Sequence, residues 1–311
     1  MLATDALRAA RTQGDPGREA AALHNLAVVQ QRQSRYAEAI ELLGHALPLR
    51  RQAGDRVGEA ITVHTLALAH ERLGVLDDAI AGYQEALKIY QLVGDLAGEA
   101  TVLDNLGMVY GRLGRIEDAT DRYNRALAIA QRTGNRATEA GILDNLGSLS
   151  TRAGRYRNAE AYHQKALTLV REVGFRAGEA EVLDNLGRVY RHLRRYSDAR
   201  DHHKQALMVA VEIGDRRLES TTHNGLSETL RQEGHLDSAL EECRAALDIA
   251  TDIGDHDQQA RAHDNIAHLL HLAADPDGAR QLWKAAFALY SKINAPEADT
   301  IHAHLADLES E

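Results

Sequence analysis

The sequence predicts an all-α solenoid: a pile of antiparallel helix pairs, about 7.5 repeats and 15–16 helices long. Three observations carry this. Shifting the 311-residue chain against itself by forty positions brings Gly14, Gly54, Gly94, Gly134, Gly174, Gly214 and Gly254 into one gap-free column, closed by Asn294. Inside each period the apolar residues recur at helical spacing, as in Ala100, Leu103, Leu106, Gly107 and Tyr110, and again in Ile116, Ala119, Tyr123, Ala126, Leu127 and Ala130. Aromatics make up only 4% of the chain and proline only four residues, which favours close-packed helices over strands.

The elements follow in order. Gly, or Asn at the last site, suits the left-handed residue just past a helix end. The next column reads Asp15, Asp55, Asp95, Asn135, Phe175, Asp215 and Asp255, where Asp or Asn can cap the following helix. Glu19, Glu59, Glu99, Glu139, Glu179 and Glu219 then fall in the first turn and complement its dipole. A second break, at Gly74, Gly114, Gly154 and Gly234, separates the two helices of a repeat. Pro276 behind Asp275 suits a first helical position. The columns Ala79 to Ala279 and Ala86 to Ala286 leave no bulk where helices cross, and Gly107, Gly147 and Gly187 do the same on the first helices.

Short helix pairs bury their apolar faces only by stacking, so residues 1–311 read as one array. Residues 1–14 are a partial second helix, the full repeats are 16–55, 56–95, 96–135, 136–175, 176–215, 216–255 and 256–295, and 296–311 is a closing helix. Ala6-Leu7 and Gly14-Asp15 match Ala46-Leu47 and Gly54-Asp55, so the chain is expected to be cut from a longer one. That cut would leave an apolar stacking edge at Leu2, Ala6 and Leu7, on which a second copy can pair as a homodimer. Pro48, inside a second helix, predicts a bend or a shortening there.

Composition sets the bounds on function. A net charge of -10 argues against direct nucleic-acid binding and against docking on anionic lipid. No run approaches the roughly 18 apolar residues of a membrane span. The single cysteine, Cys243, and a start with neither basic residues nor a long apolar run predict a cytoplasmic protein.

The columns Leu103-Asp104-Asn105-Leu106-Gly107-x-x-Tyr110, then Ala119, Tyr123 and Ala126-Leu127, resemble the tetratricopeptide repeat (TPR), over essentially the whole chain. A period of forty is similar to the long-helix subclass of cell-polarity scaffolds, kinesin light chains and many bacterial regulators. The tail is similar to the C-terminal end of AfsR/SARP-type transcriptional regulators of antibiotic and other secondary-metabolite pathways. It carries Gly225-Leu226-Ser227-Glu228, Gln259-Ala260-Arg261-Ala262-His263, Asp275-Pro276 with Ala279-Arg280 and Trp283, Leu289-Tyr290, and Pro296-Glu297-Ala298-Asp299. In that family a winged helix, an activation domain and often an ATPase precede the repeats. This chain has no Gly-x-x-x-x-Gly-Lys-Ser/Thr loop, so nucleotide binding does not carry over to it and no cofactor is expected.

The resemblance implies a right-handed superhelix whose first helices line a concave groove. Asn25, Asn105, Asn145, Asn185 and Asn265 would form a ladder there, and in kinesin-light-chain-like arrays the matching asparagines grip a peptide backbone. The competing reading is that these carboxamides tie adjacent helices together. Beside them run Asp104, Asp144 and Asp184, and two turns on Arg72, Arg112 and Arg152, which serve either a partner or helix-dipole compensation and solubility. Five asparagine contacts at about 1 kcal/mol each barely reach the low end of an association cost of about 4–15 kcal/mol, so apolar anchors are needed. Val28, Leu68 and Met108 supply them, and Ser148, Arg188, Glu228 and His268 stand at the equivalent later positions. The groove is therefore expected to be more apolar at its start, with binding centred on residues 96–215.

The functional expectation is a non-enzymatic interaction or sensor domain of a larger regulator, binding a protein or peptide segment or restraining upstream domains of its own polypeptide. The alternatives are a stand-alone or self-associating scaffold, and a small-molecule receptor at the apolar start of the groove. The histidines at 263, 268, 271, 302 and 304 are read as surface residues and not a metal site, because no cysteine or carboxylate completes a motif with them. His203, Cys243 and Trp283 share the column of Tyr83 and Tyr123 and read as packed between helices.

Overall fold

The computed structural model describes the backbone of residues 2–310 and the side chains of residues 7–308; the side chains of Leu2 and Ala6, two of the three residues of the proposed stacking edge, lie outside the described residues. Among the described residues there are sixteen α-helices and no strand. No helix is long and apolar enough to cross a membrane. The chain divides into two compact units, residues 1–149 and 150–311.

The first unit holds α1 (Leu2–Gln13), α2 (Pro16–Arg32), α3 (Tyr36–Gln52), α4 (Arg56–Arg72), α5 (Leu76–Val93), α6 (Leu96–Arg112), α7 (Ile116–Thr133) and most of α8 (Arg136–Arg152). The second holds α9 (Tyr156–Glu172), α10 (Arg176–His192), α11 (Tyr196–Ile213), α12 (Arg216–Glu233), α13 (Leu236–Ile253), α14 (His256–Leu272), α15 (Pro276–Lys292) and α16 (Glu297–Ser310). Consecutive helices pack antiparallel in each unit, joined by turns of two to four residues. First helices also touch one another, α2 on α4 on α6 and α10 on α12 on α14, and so form a continuous layer within each unit.

The local signals act as the sequence predicts. The seven glycines from Gly14 to Gly254, with Asn294, adopt φ between 53° and 74°, the left-handed region where a Cβ is disfavoured. Asp15, Asp55, Asp95, Asp215, Asp255 and Asp275, with Asn135, accept the backbone N–H three residues on at 2.8–3.1 Å, and each satisfies one orphan donor of its helix. Phe175 leaves its helix without a side-chain cap.

The first-turn glutamates do more than oppose a dipole. Five of the six accept from a residue eight positions earlier, on the preceding second helix: Arg11 to Glu19, Arg51 to Glu59, Gln91 to Glu99, Gln131 to Glu139 and Arg171 to Glu179, at 2.8–3.1 Å. Glu219 has Val211 at that position and accepts instead from Arg216 at 2.8 Å. A side-chain strap thus closes five of the turns between repeats. Burial alone would raise the Glu59 and Glu179 carboxyls, but the paired arginines hold both below the usual carboxylate range.

Pro48 does not shorten its helix. Helix α3 keeps its full 17 residues, the same as α9. The ring lies on the exposed side of α3, where the carbonyl it leaves unpaired at Gly44, also exposed, is open to water.

The crossing points are packed to contact. Ala79, Ala119, Ala159, Ala199, Ala239 and Ala279, and likewise Ala86, Ala126, Ala166, Ala206, Ala246 and Ala286, are fully buried. A Cβ at Gly107 would sit 2.6 Å from the ring of buried Tyr123, whereas one at Gly141 would meet nothing within 4 Å. Gly107→Ala is therefore expected to lose about 1–3 kcal/mol to overpacking, while Gly141→Ala gains about 0.5–1 kcal/mol of helix propensity. Urea titration of the two variants against wild type checks the opposite signs.

Candidate functional site

In each unit the layer of first helices carries the predicted polar columns. Between neighbouring first helices bonds run between positions 41 apart, one more than the period. Asn105 Nδ2 lies 2.9 Å from His64 Nε2, and Asn145 Nδ2 donates to Asp104 Oδ1 at 2.9 Å. Arg112 donates to Glu71 at 3.3 Å with the same offset. Burial pushes the Asp104 carboxyl up, although the bond from Asn145 opposes this.

These contacts sort the predicted site residues. In the first unit Asn25 is exposed, while Asn105, Asn145, Asp104, Asp144 and the anchors Val28, Leu68 and Met108 are half-buried. Arg72 and Arg112 are exposed, as is Arg152 in the second unit. Asn185 is half-buried and accepts from Arg188. Two residues are withdrawn into packing. Asn265 is 4% exposed, its amide directed at Asn224 Oδ1 and Ser227 Oγ, both at 3.3 Å. Asp184 is 7% exposed, with Oδ1 2.9 Å from His203 Nδ1. Neither is presented to a partner, because each replaces lost water contacts with a neighbouring side chain.

A charged cluster in the second unit escapes the column reading. Glu228 accepts from Arg261 Nε at 2.8 Å and Arg261 Nη2 at 2.7 Å, and pairs with Arg191 at 2.8 Å. Burial alone would raise Glu228, but Arg261 and Arg191 hold its carboxyl down to about 2. Burial, together with Arg261, Arg188 and Arg231, lowers Arg191. Arg188, Arg191 and Arg231 each keep a buried Nε without a hydrogen-bond partner. The sequence signal was the loss of periodicity: Met108 and Ser148 give way to Arg188 and Glu228, and the column Thr101, Gly141, Glu181 and Thr221 ends in Arg261.

The packed readings of the second-helix column hold. His203 is fully buried beneath Gly187 and Gly225, where a Cβ on either glycine would come within 2.7 Å of the ring. Cys243 is fully buried, and burial pushes its thiol up to about 11, away from nucleophilic chemistry. Trp283 is 3% exposed and donates its indole N–H to Asp264 Oδ1 at 2.8 Å.

The histidine reading needs correction. A carboxylate does join them: Asp264, His268 and His304 bring one ligand-type atom each to within 4.8 Å of one another. Asp264 was visible as the i,i+4 partner of His268, but reading histidines alone passed over it. His302 instead faces the Phe287 ring, with centroids 6.0 Å apart.

A family model described as tetratricopeptide repeat matches residues 18–91, 58–132, 138–210 and 218–292. No curated protein matches the chain. Among solved structures, BtubC (BKLC) from P. vanneervenii is 25% identical with a TM-score of 0.63, over 68% of this chain and 89% of that one. The STAND (signal transduction ATPase with numerous domains) protein with a tetratricopeptide repeat sensor from Pyrococcus horikoshii has a TM-score of 0.73 at 19% identity, over 92% of this chain and 44% of that one. The apo quorum sensor NprR from B. thuringiensis has a TM-score of 0.73 at 15% identity, over 91% and 80%. At such identities the last two likenesses show the fold alone.

Proposed function

We propose that this chain, which belongs to the tetratricopeptide repeat family, is the partner-binding or sensing part of a larger transcriptional regulator of secondary-metabolite biosynthesis. In this reading it holds a peptide or protein segment against its first helices, or restrains other domains of its own polypeptide there. The regulator context is supported by the tail's resemblance to AfsR/SARP-type proteins and by the likeness to a STAND protein whose repeats are its sensor. The quorum sensor among the similar structures supports a signal-binding role.

The observation that carries the binding reading is the set of oriented carboxamides. Asn105 and Asn145 each direct one amide nitrogen at a neighbour 41 residues back, which fixes the side-chain rotamer before any partner arrives. A carboxamide has two donor hydrogens and an acceptor oxygen, so one such bond leaves capacity for a docking backbone at low entropic cost. Met108 and Leu68 on the same layer supply apolar contact.

The test selects peptides on this chain from a random displayed library and measures the enriched peptide by fluorescence anisotropy. Replacing Asn105, Asn145 and Asn185 together by alanine is expected to weaken it about a hundredfold, from roughly 1 kcal/mol per bond, with the helical circular dichroism unchanged. Undiminished affinity in that variant would overturn the carboxamide reading.

A further inference from the structure

We propose that Asp264, His268 and His304 form a binding site for a single divalent transition-metal ion of the zinc class, at the C-terminal end of the second unit. Their ligand-type atoms already lie within 4.8 Å of one another, and the Asp264 and His268 side chains are 23% and 26% exposed, so an ion can enter without unfolding. The helical spacing explains half of the geometry: Asp264 and His268 are one turn apart on α14, with His268 Nε2 3.4 Å from Asp264 Oδ1. The other half comes from tertiary packing. His304 on α16 meets both the His268 ring, at 4.9 Å between centroids, and the Trp283 ring, at 5.2 Å.

The donor set decides the class of ion. Two imidazole nitrogens and one carboxylate oxygen suit zinc and its neighbours, whereas calcium and magnesium favour oxygen-only sites. Metal-binding carboxylates are commonly held by an outer hydrogen bond, and here the Trp283 indole N–H donates to Asp264 Oδ1 at 2.8 Å and fixes its orientation. Beside the cluster is a cavity of about 180 Å³ lined by His268, His271, Trp283, His304, Asp307 and Leu308. Three protein donors leave a fourth tetrahedral position for a solvent ligand, and the adjoining cavity gives solvent access to it. The physical consequence is a cross-link. Helix α16 packs on α15, and an ion shared by Asp264, His268 and His304 would fasten α16 directly to α14. Folding free energy of the closing helix would then depend on metal.

The experiment uses the whole chain, treated with chelator and then titrated with zinc sulfate by isothermal calorimetry, with cobalt(II) absorption as the second readout. One equivalent of zinc is expected to bind, cobalt to give the intense visible bands of a four-coordinate site, and zinc to raise the melting temperature. His268→Ala and His304→Ala should each weaken binding about a hundredfold or more, while His302→Ala, an exposed histidine on the same helix, leaves it unchanged. Asp264→Asn, nearly isosteric with the native side chain, should weaken binding with the fold intact. It keeps the proposal testable if a histidine variant fails to fold. Absence of zinc binding, or binding that survives the Asp264, His268 and His304 replacements, would overturn the assignment and leave an aromatic and imidazole stack that only packs α16.

Discussion

Glu228→Ala is expected to destabilise the 150–311 unit by about 3–5 kcal/mol, the cost of leaving buried cations without their counter-charge. The Glu228 side chain is 14% exposed, Arg191 11% and Arg261 23%, so water cannot readily take the place of the lost carboxylate. Burial alone would lower Arg261, yet Glu228 and Asp184 hold it above its ordinary value; without Glu228 the repulsion among Arg188, Arg191, Arg231 and Arg261 loses its first counter-charge. Removing both sides of the pair should be milder. Glu228→Leu combined with Arg261→Leu is expected to recover much of the loss, since a buried ion pair is often no better than apolar packing of similar volume. Glu85→Ala, which breaks a pair with Arg51 at 2.7 Å between side chains about half exposed, should stay within about 0.5 kcal/mol of wild type. Urea titration followed by circular dichroism reads all three. A Glu228→Ala loss below about 1 kcal/mol would mean that the arginines reach water and that the cluster is not a buried one.

That cluster also marks where the sequence stops being readable. Gly54 and Asp55 report their roles within a few residues, because a left-handed φ of 68° and a bond from Gly58 N–H are local events. Even there the fold can impose what the residue does not favour: Ser34, Arg194 and Ala274 adopt φ of 57–60° in the column where Gly74 and Gly114 do so freely. The asparagine columns were visible, but their partners were not. The offset of 41 that joins Asn145 to Asp104 is a property of the packing between neighbouring first helices, which no single repeat encodes. Glu228 and Arg261, 33 residues apart, each look solvated on their own helix, and only the packing of α12 on α14 makes them one buried group. Asn265 and Asp184 fit the repeat pattern as groove residues, and the same packing turns them inward.

Acid should weaken the first unit through His64. Burial between the Tyr83 and Tyr90 rings, at 5.7 and 6.4 Å between centroids, lowers its imidazole to about 4. The neutral form is also the one that Asn105 requires, since Nε2 can accept the amide hydrogen at 2.9 Å only while it carries no proton. The unfolded chain binds this proton near the ordinary histidine value of about 6.5, well before the folded chain does. Stability is therefore intact above about pH 6.5 and falls as pH drops toward about 4, by up to roughly 3 kcal/mol once the folded imidazole also titrates. Glu59, held low by its arginines, adds a separate loss that sets in below about pH 4.5. His64→Gln separates the two, because glutamine removes the titration and leaves the carboxylates alone. Between about pH 7 and pH 5 the wild-type unfolding free energy should drop about 2 kcal/mol more than that of His64→Gln. Parallel pH profiles for the two proteins over that interval would show that the His64 imidazole is solvated in the folded chain, and that Asn105 is not oriented by it.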